Sequence, residues 1–401
     1  MKKIIVIFLS LFLVSCSPLT SSSSQDSSQN INEENKITIS TTDYEKKYLE
    51  KIVDAYNNSV LEQDKITVTF SDGYEYLSGN VTSDLLFTND VLFKQYSLWD
   101  IAYNIDDNLL VDENIKNLFT KDDVLYTYPI SASTGSVLYY DSNYFSTNNL
   151  TLEFILKTCK QNNKKFHFDL ENGWYILSLF LSPDFKGPNS ISYTIQGNDV
   201  KYHMSYDDEE GASMMEYIHT LYKNYEEYFI LTTGGLSNLD LFDANEIIAS
   251  ISLPIYSLFD SEYVDNHIVS SKLPSFEIDD KIYQMGSLGA YYGYLINKNS
   301  SNITTCKKFI NFLLNEENQK NMVKDTGFVP LNDDAITDID EIDNLLLGQM
   351  EQYQYMSIES ICVESNVYNA LNPIASAVVS GDLKGCSSWL EFLTNQFDLI
   401  R

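Results

Sequence analysis

The chain has 401 residues, 44% of them hydrophobic, which is enough for two or three domains with a large core. Its formal net charge of −31 argues against nucleic acid or an anionic membrane as a direct partner, because phosphate contacts need clustered Lys and Arg, and it disfavours anionic ligands.

Lys2 and Lys3 precede an apolar run from Ile4 to Val14. A basic start followed by a short apolar segment reads as an export signal over residues 1–15, too short to span a bilayer stably. Leu13-Val14-Ser15-Cys16 follows and resembles the bacterial lipobox. That resemblance implies acylation of Cys16 as the mature N-terminus, with acyl chains rather than a helix holding the protein at the membrane. From Pro18 to Glu34 the residues are mostly Ser, Gln and Asn. Such a segment buries too little apolar surface to fold, so residues 16–35 are expected to be a flexible tether.

The folded part is expected from Lys36. Ile37 to Ser40 alternates as a strand, Thr42-Asp43-Tyr44-Glu45 is a capping-box pattern, and Tyr48, Leu49, Ile52, Val53 and Tyr56 mark one helix face. Lys65 to Phe70 is a β-branched strand, so the order implies a parallel pair with a crossover helix. Ser83 to Phe87 reads as a buried strand, followed by a turn at Thr88-Asn89-Asp90 and a helix. Tyr128-Pro129-Ile130 is extended; Gly135 lies in a small polar loop, and Ser136 to Tyr140 is a buried strand. Leu150 to Gln161 is helical. Asn172-Gly173-Trp174-Tyr175 opens an apolar helix through Leu181, and Ile191 to Tyr206 reads as a hairpin turning at Gly197-Asn198-Asp199. Met214, Tyr217, Ile218 and Leu221 share a helix face. Gly286 to Lys298 is a glycine-rich turn and strand. Cys306, Phe309, Ile310 and Leu313 then recur at helical spacing, with Asn315 capping the next helix and Gly327 and Pro330 stopping it. From Ala335 onward the pattern reads helical.

Several of these segments, in this order, resemble landmarks of the extracellular solute-binding proteins of the maltodextrin-binding type. They are Tyr128-Pro129 with Leu138-Tyr139-Tyr140-Asp141, Ser83-Asp84 ahead of an apolar strand, Leu273-Pro274, the Gly286–Lys298 stretch and Gly327-x-x-Pro330. The resemblance covers Ile37 to Phe397. It implies an α/β, two-lobed periplasmic-binding-protein-like (type II) fold, each lobe a mixed sheet flanked by helices and joined by a hinge. The expected lobes are residues 36–140 plus 286–328 and residues 141–285 plus 329–401. By the same resemblance the ligand-binding candidates are Thr88, Ser133, Trp174, Tyr256 and Tyr292. Thr88 and Ile255 stand where relatives carry pocket aromatics, and Tyr256 is the substitute candidate. Ser133 lies where relatives can carry a sugar-binding carboxylate. Trp174, at a helix start that faces the cleft in the family, is the leading contact: a flat aromatic suits the CH-rich face of a pyranose, although a core tryptophan has the same pattern.

The residues themselves point to no catalytic chemistry. His167, His203, His219 and His267 are scattered, Cys159, Cys306, Cys362 and Cys386 fit no zinc template, and no HExxH, GxSxG or Walker A motif occurs. No metal and no cofactor is expected; Cys306 is expected in the core. The expectation is a monomeric, non-enzymatic lipoprotein on the extracytoplasmic face of the membrane. It would capture a small solute, a sugar or oligosaccharide, and pass it to the permease subunits of an ABC transporter. The alternatives are a surface lipoprotein that uses the same fold for adhesion or sensing, and a secreted hydrolase.

Overall fold

The computed structural model describes residues 35–398 apart from 74, 107–108, 147–149, 187–190, 197–198, 233–237, 254–266, 333–334, 336–343, 359–365, 382 and 384. The export signal, the tether, Cys16, Tyr256 and Cys362 lie outside the described residues. So does the expected hairpin turn at Gly197-Asn198. Residues 34–401 form one compact unit.

The chain opens with β1 (Lys36–Thr41), α1 (Asp43–Ser59) and β2 (Thr67–Asp72). The expected capping box is present: the Glu45 carboxylate accepts the Thr42 N–H at 3.2 Å and also bonds the Thr42 hydroxyl. Tyr48, Leu49, Ile52 and Tyr56 are buried, as the helical spacing predicts. Next come β3 (Leu85–Asn89), α2 (Asp90–Gln95), α3 (Glu113–Leu118), the short pair β4 (Thr120–Lys121) and β5 (Val124–Leu125), and β6 (Tyr128–Ser133). Strand β3 starts two residues later than the expected Ser83 and runs on through Thr88 and Asn89, in place of the expected turn. Asp84 instead accepts the Thr38 N–H at 2.8 Å, and Asn89, at the strand end, caps α2 by accepting the Leu92 N–H at 2.8 Å.

The middle of the chain holds β7 (Val137–Asp141), α4 (Leu152–Asn162), β8 (Lys165–His167), α5 (Gly173–Phe180), the hairpin β9 (Ile191–Gln196) and β10 (Asp199–Met204), and α6 (Glu209–Tyr225). It continues through β11 (Phe229–Ile230), α7 (Asn238–Asp243), β12 (Ile247–Ser252), β13 (Ile268–Ser271), and the hairpin β14 (Ser275–Ile278) and β15 (Lys281–Gln284). The last third is β16 (Ser287–Ile296), α8 (Ile303–Leu313), α9 (Glu316–Thr326), β17 (Val329–Pro330), α10 (Leu347–Gln352), β18 (Met356–Ile358), α11 (Asn366–Ser380) and α12 (Cys386–Asp398).

Two mixed sheets organise these elements. The first runs β17-β6-β16-β3-β1-β2, with β18 also on β16; the second runs β11-β8-β12-β7-β13. Strand β1 is parallel to β2 and β3, while β16 is antiparallel to β3 and β6. Each sheet packs its helices over its own core, one around Tyr48, Leu85, Tyr294 and Phe309, the other around Leu156, Phe180, Met214 and Trp389. Cys159 and Cys306 are free thiols in these cores, and burial pushes both up to about 12.

The chain passes from the first sheet to the second over Thr134–Ser136 and returns at Met285-Gly286. Gly135 adopts φ +76°, and a Cβ there would overlap the Leu288 carbonyl oxygen. Only glycine supplies both the left-handed backbone and the close approach. Sheet membership differs from the expected lobe limits in two places. Val137–Asp141 pair entirely in the second sheet, because the chain crosses at the glycine loop rather than at the end of the apolar run. The tail beyond Ala335 is not all helical: Met356–Ile358 adds a parallel strand to β16, and β17 likewise stays in the first sheet. Three residues carry no readable periodicity, so β18 is defined by its neighbour.

Candidate functional site

Between the two sheets lies a cavity of about 400 Å³. One wall holds Ser133 at the end of β6, Gly135 in the crossing, and Leu288, Gly289, Ala290 and Tyr292 from β16. The opposite wall is the start of α5, with Asn172, Trp174 and Tyr175, together with Leu253 just past the end of β12.

Local chemistry fixes the α5 wall. Asn172 has an extended backbone that ends the loop, and its Oδ1 accepts the Trp174 N–H at 2.9 Å. The Gly173 N–H donates to Asn372 Oδ1 at 3.1 Å, which ties the helix start to α11. Asp169 accepts the Glu171 N–H at 3.2 Å; burial raises its carboxyl above the usual range, opposed by hydrogen bonds that include Asn172. With its N–H groups occupied in this way, the helix start presents aromatic side chains. Trp174 is half-buried, packed against the second core on one side and lining the cavity on the other. Burial pushes the Tyr175 phenol up; a hydrogen bond with the Leu253 backbone opposes the shift and the Asp169 charge adds slightly to it. Tyr175 is thus a neutral hydroxyl able to donate and accept.

On the facing wall Tyr292 is held by two rings. Phe87 stacks on it at 5.4 Å between centroids, and Phe328 lies at 4.8 Å. Ser133 is 8% exposed. Among the described lining residues none is an acid, a lysine, an arginine or a histidine. The wall is therefore aromatic surface, small residues with accessible backbone, and a few neutral hydrogen-bonding groups, as in small-molecule sites.

Three of the five residues singled out by sequence, Ser133, Trp174 and Tyr292, meet in this cavity from three distant parts of the chain. Thr88 does not line it among the described residues: it is 2% exposed within β3, opposite Gly293. Tyr256 and Cys16 lie outside the described residues. Tyr175, Asn172 and Leu253 were not anticipated as lining residues. Tyr175 had only its adjacency to Trp174 as a signal, and Leu253 had none.

A larger cavity, about 710 Å³, lies elsewhere; Tyr291 lines it, whereas the adjacent Tyr292 lines the cavity between the sheets. The rest of its described lining comes from Leu110–Asp112, Asn114, Ile115, Leu118, Leu331, Asn332, Tyr353 and Ile358, with nothing from the second sheet. The smaller cavity is the better candidate because both sheets build it. Among the described residues, no cluster of three or more His, Cys, Asp or Glu could hold a metal ion, and no helix is long and apolar enough to cross a membrane.

No curated protein sequence matches the chain. Solved structures do. A maltodextrin binding protein, MalE1 from L. casei BL23, solved without ligand, is similar at a TM-score of 0.69 and 12% identity, covering 91% of this chain and 98% of that one. A protein solved with acarbose is similar at 0.67 and 17% identity, covering 91% and 99%. These likenesses show the two-lobed solute-binding fold. The family model for bacterial extracellular solute-binding proteins matches residues 28–345, and the chain belongs to that family.

Proposed function

We propose that this protein is a lipid-anchored extracellular receptor that captures a sugar or oligosaccharide between its two lobes and delivers it to an ABC permease. The first lobe would be built on β1–β3, β6 and β16–β18, the second on β7, β8 and β11–β13. The observation that carries the ligand class is the cavity itself. Trp174 and Tyr292 stand in its two walls, and neutral groups such as Ser133, Asn172 and Tyr175 surround them, with no ionisable acid or base among the described lining residues. Aromatic faces pair with the CH-rich faces of pyranoses, and neutral hydrogen-bonding groups match hydroxyls. The similar proteins named above are a maltodextrin binding protein and a protein solved with acarbose, in keeping with that class. Closure of two lobes on a bound solute is the switching mode of such receptors. The role is capture without turnover, and the anchor would be Cys16.

A melting-point screen of the soluble form beginning at Ser17, against mono- and oligosaccharides with amino acids and metal salts as controls, tests the ligand class. Stabilisation by sugars alone supports the reading. Stabilisation by an amino acid or metal and by no sugar overturns carbohydrate while keeping the receptor. No response across a wide solute library favours the adhesion or sensing role, to which the burial of Thr88 at an expected aromatic position also points.

A further inference from the structure

Two buried glutamines tie the lobe-connecting segments together on the second-lobe side. Gln352, the last residue of α10, has no solvent exposure. Its Oε1 accepts the Leu273 N–H at 2.8 Å, while its Nε2 donates to the Ser287 hydroxyl at 3.2 Å and the Met285 carbonyl at 3.4 Å. Gln284, the last residue of β15, donates from its Nε2 to the Leu273 carbonyl at 2.6 Å and to the Met285 carbonyl at 3.3 Å. The result is a closed circuit. Leu273 gives its N–H to one glutamine and its carbonyl to the other, and the Met285 carbonyl receives both amides.

The circuit sits where two connections leave the second lobe. Met285-Gly286 leads into β16, and Tyr353–Tyr355 leads from α10 into β18. Helix α10 is itself fixed to β13 and the residue after it, since the Gly348 N–H near its start donates to the Ser270 hydroxyl at 2.8 Å and Glu351 near its end accepts the Lys272 N–H at 3.1 Å. At the first-lobe end the connections meet through glycine instead. A Cβ at Gly135 would overlap the Leu288 carbonyl, and one at Gly289 would overlap Met356 and the Ser133 carbonyl. A buried amide circuit resists displacement, because breaking one member strands peptide groups without partners away from water.

We propose that the Gln352–Gln284 circuit is a mechanical clamp. It makes the second-lobe ends of two connecting segments, Met285 to Ser287 and the end of α10, move as one body, so that bending between the lobes is confined to the residues beyond them, Leu288 and Gly289 in β16 and Tyr353 to Tyr355 ahead of β18. The proposal rests on the two-lobed fold and is independent of which solute is bound.

The test needs no ligand. Spin labels introduced through encoded keto amino acids at Leu61 and Ile282, 67% and 65% exposed, report the distance between the lobes, and amide hydrogen exchange at Leu273 reports the circuit. Gln352→Met and Gln284→Met keep side-chain volume while removing the amides. Each is expected to speed Leu273 exchange at least tenfold and to broaden the label distance distribution relative to the parent. A purely structural role would lower the melting point and leave the distribution unchanged; that result, in either folded variant, overturns the clamp. If Gln352→Met does not fold, Gln284→Met decides alone. Because the unliganded protein is measured, a failure here leaves the solute-binding reading untouched, and a failed sugar screen leaves this result standing.

Discussion

Trp174 stands between the second core and the cavity. One side of the indole packs on the second core and the other lines the cavity. Trp174→Ala is expected to weaken sugar binding by tenfold or more, about 1.4 kcal/mol per tenfold, and saturating sugar should perturb tryptophan fluorescence in the parent. Unchanged affinity in a folded Trp174→Ala protein would assign the residue to the core alone. His167 gives a prediction at the same scale. It is buried, with Nδ1 2.9 Å from the Ser250 hydroxyl, and burial lowers its pKa to about 4. Its folded value lies below the unfolded one near 6.5, so between pH 6.5 and 4 the unfolded chain binds more protons and stability rises with pH. The contribution is present above pH 6.5 and lost as pH falls towards 4, at most about 3 kcal/mol. Denaturant unfolding at pH 7 and pH 4.5 should show a larger difference for the parent than for His167→Gln.

Elements are positioned by a few residues with no freedom of substitution. The loop between β6 and β7 is one such place, because Gly135 must take a left-handed backbone with its Cα against the Leu288 carbonyl. Gly135→Ala is expected to cost roughly 2–5 kcal/mol, combining left-handed strain with overpacking. Chemical denaturation measures the loss, and an alanine variant as stable as the parent would show that the crossing has room to shift. The start of α5 is a gentler case. Asn172→Ala removes the cap on Trp174 and is expected to cost about 1 kcal/mol, with a further loss of affinity if the helix start frays and the Trp174 face tilts.

At the scale of the whole molecule, closing two lobes on a solute couples binding to global stability. A ligand at a thousand times its dissociation constant adds about 4.1 kcal/mol. Unfolding entropy near 2.1 cal/mol/K per residue gives roughly 0.8 kcal/mol/K for a chain of this length. The melting point should therefore rise by about 5 °C with saturating sugar if the lobes unfold together, and small-angle scattering should report a more compact particle. A shift in only part of a two-step melt would mean that the lobes unfold separately. Anchoring belongs to this scale as well. Cys16→Ala is expected to abolish palmitate labelling and release the protein from the membrane fraction, and label retained on that variant would remove the lipoprotein assignment.

Much of the fold was legible in the sequence because its signals are local. The capping box at Thr42 and Glu45, the apolar face of α1, the Asn172 start of α5 and the alternation of Ile37 to Ser40 each depend on residues within a few positions of one another. The ordered landmarks from Tyr128-Pro129 to Gly327-x-x-Pro330 extended that reading to the family and the two-lobed architecture. Tertiary structure alone decided where the chain crosses between sheets, since a left-handed glycine against a distant carbonyl leaves no periodic trace. It alone added β18, whose three residues become a strand only because β16 offers an unpaired edge. It also decided which candidates share a site. Ser133, Trp174 and Tyr292 are brought together by strands and a helix far apart in the chain, whereas Thr88 is buried in β3 among its neighbours. Spacing along a chain fixes periodicity, but convergence on a cavity depends on how two sheets and their connections pack.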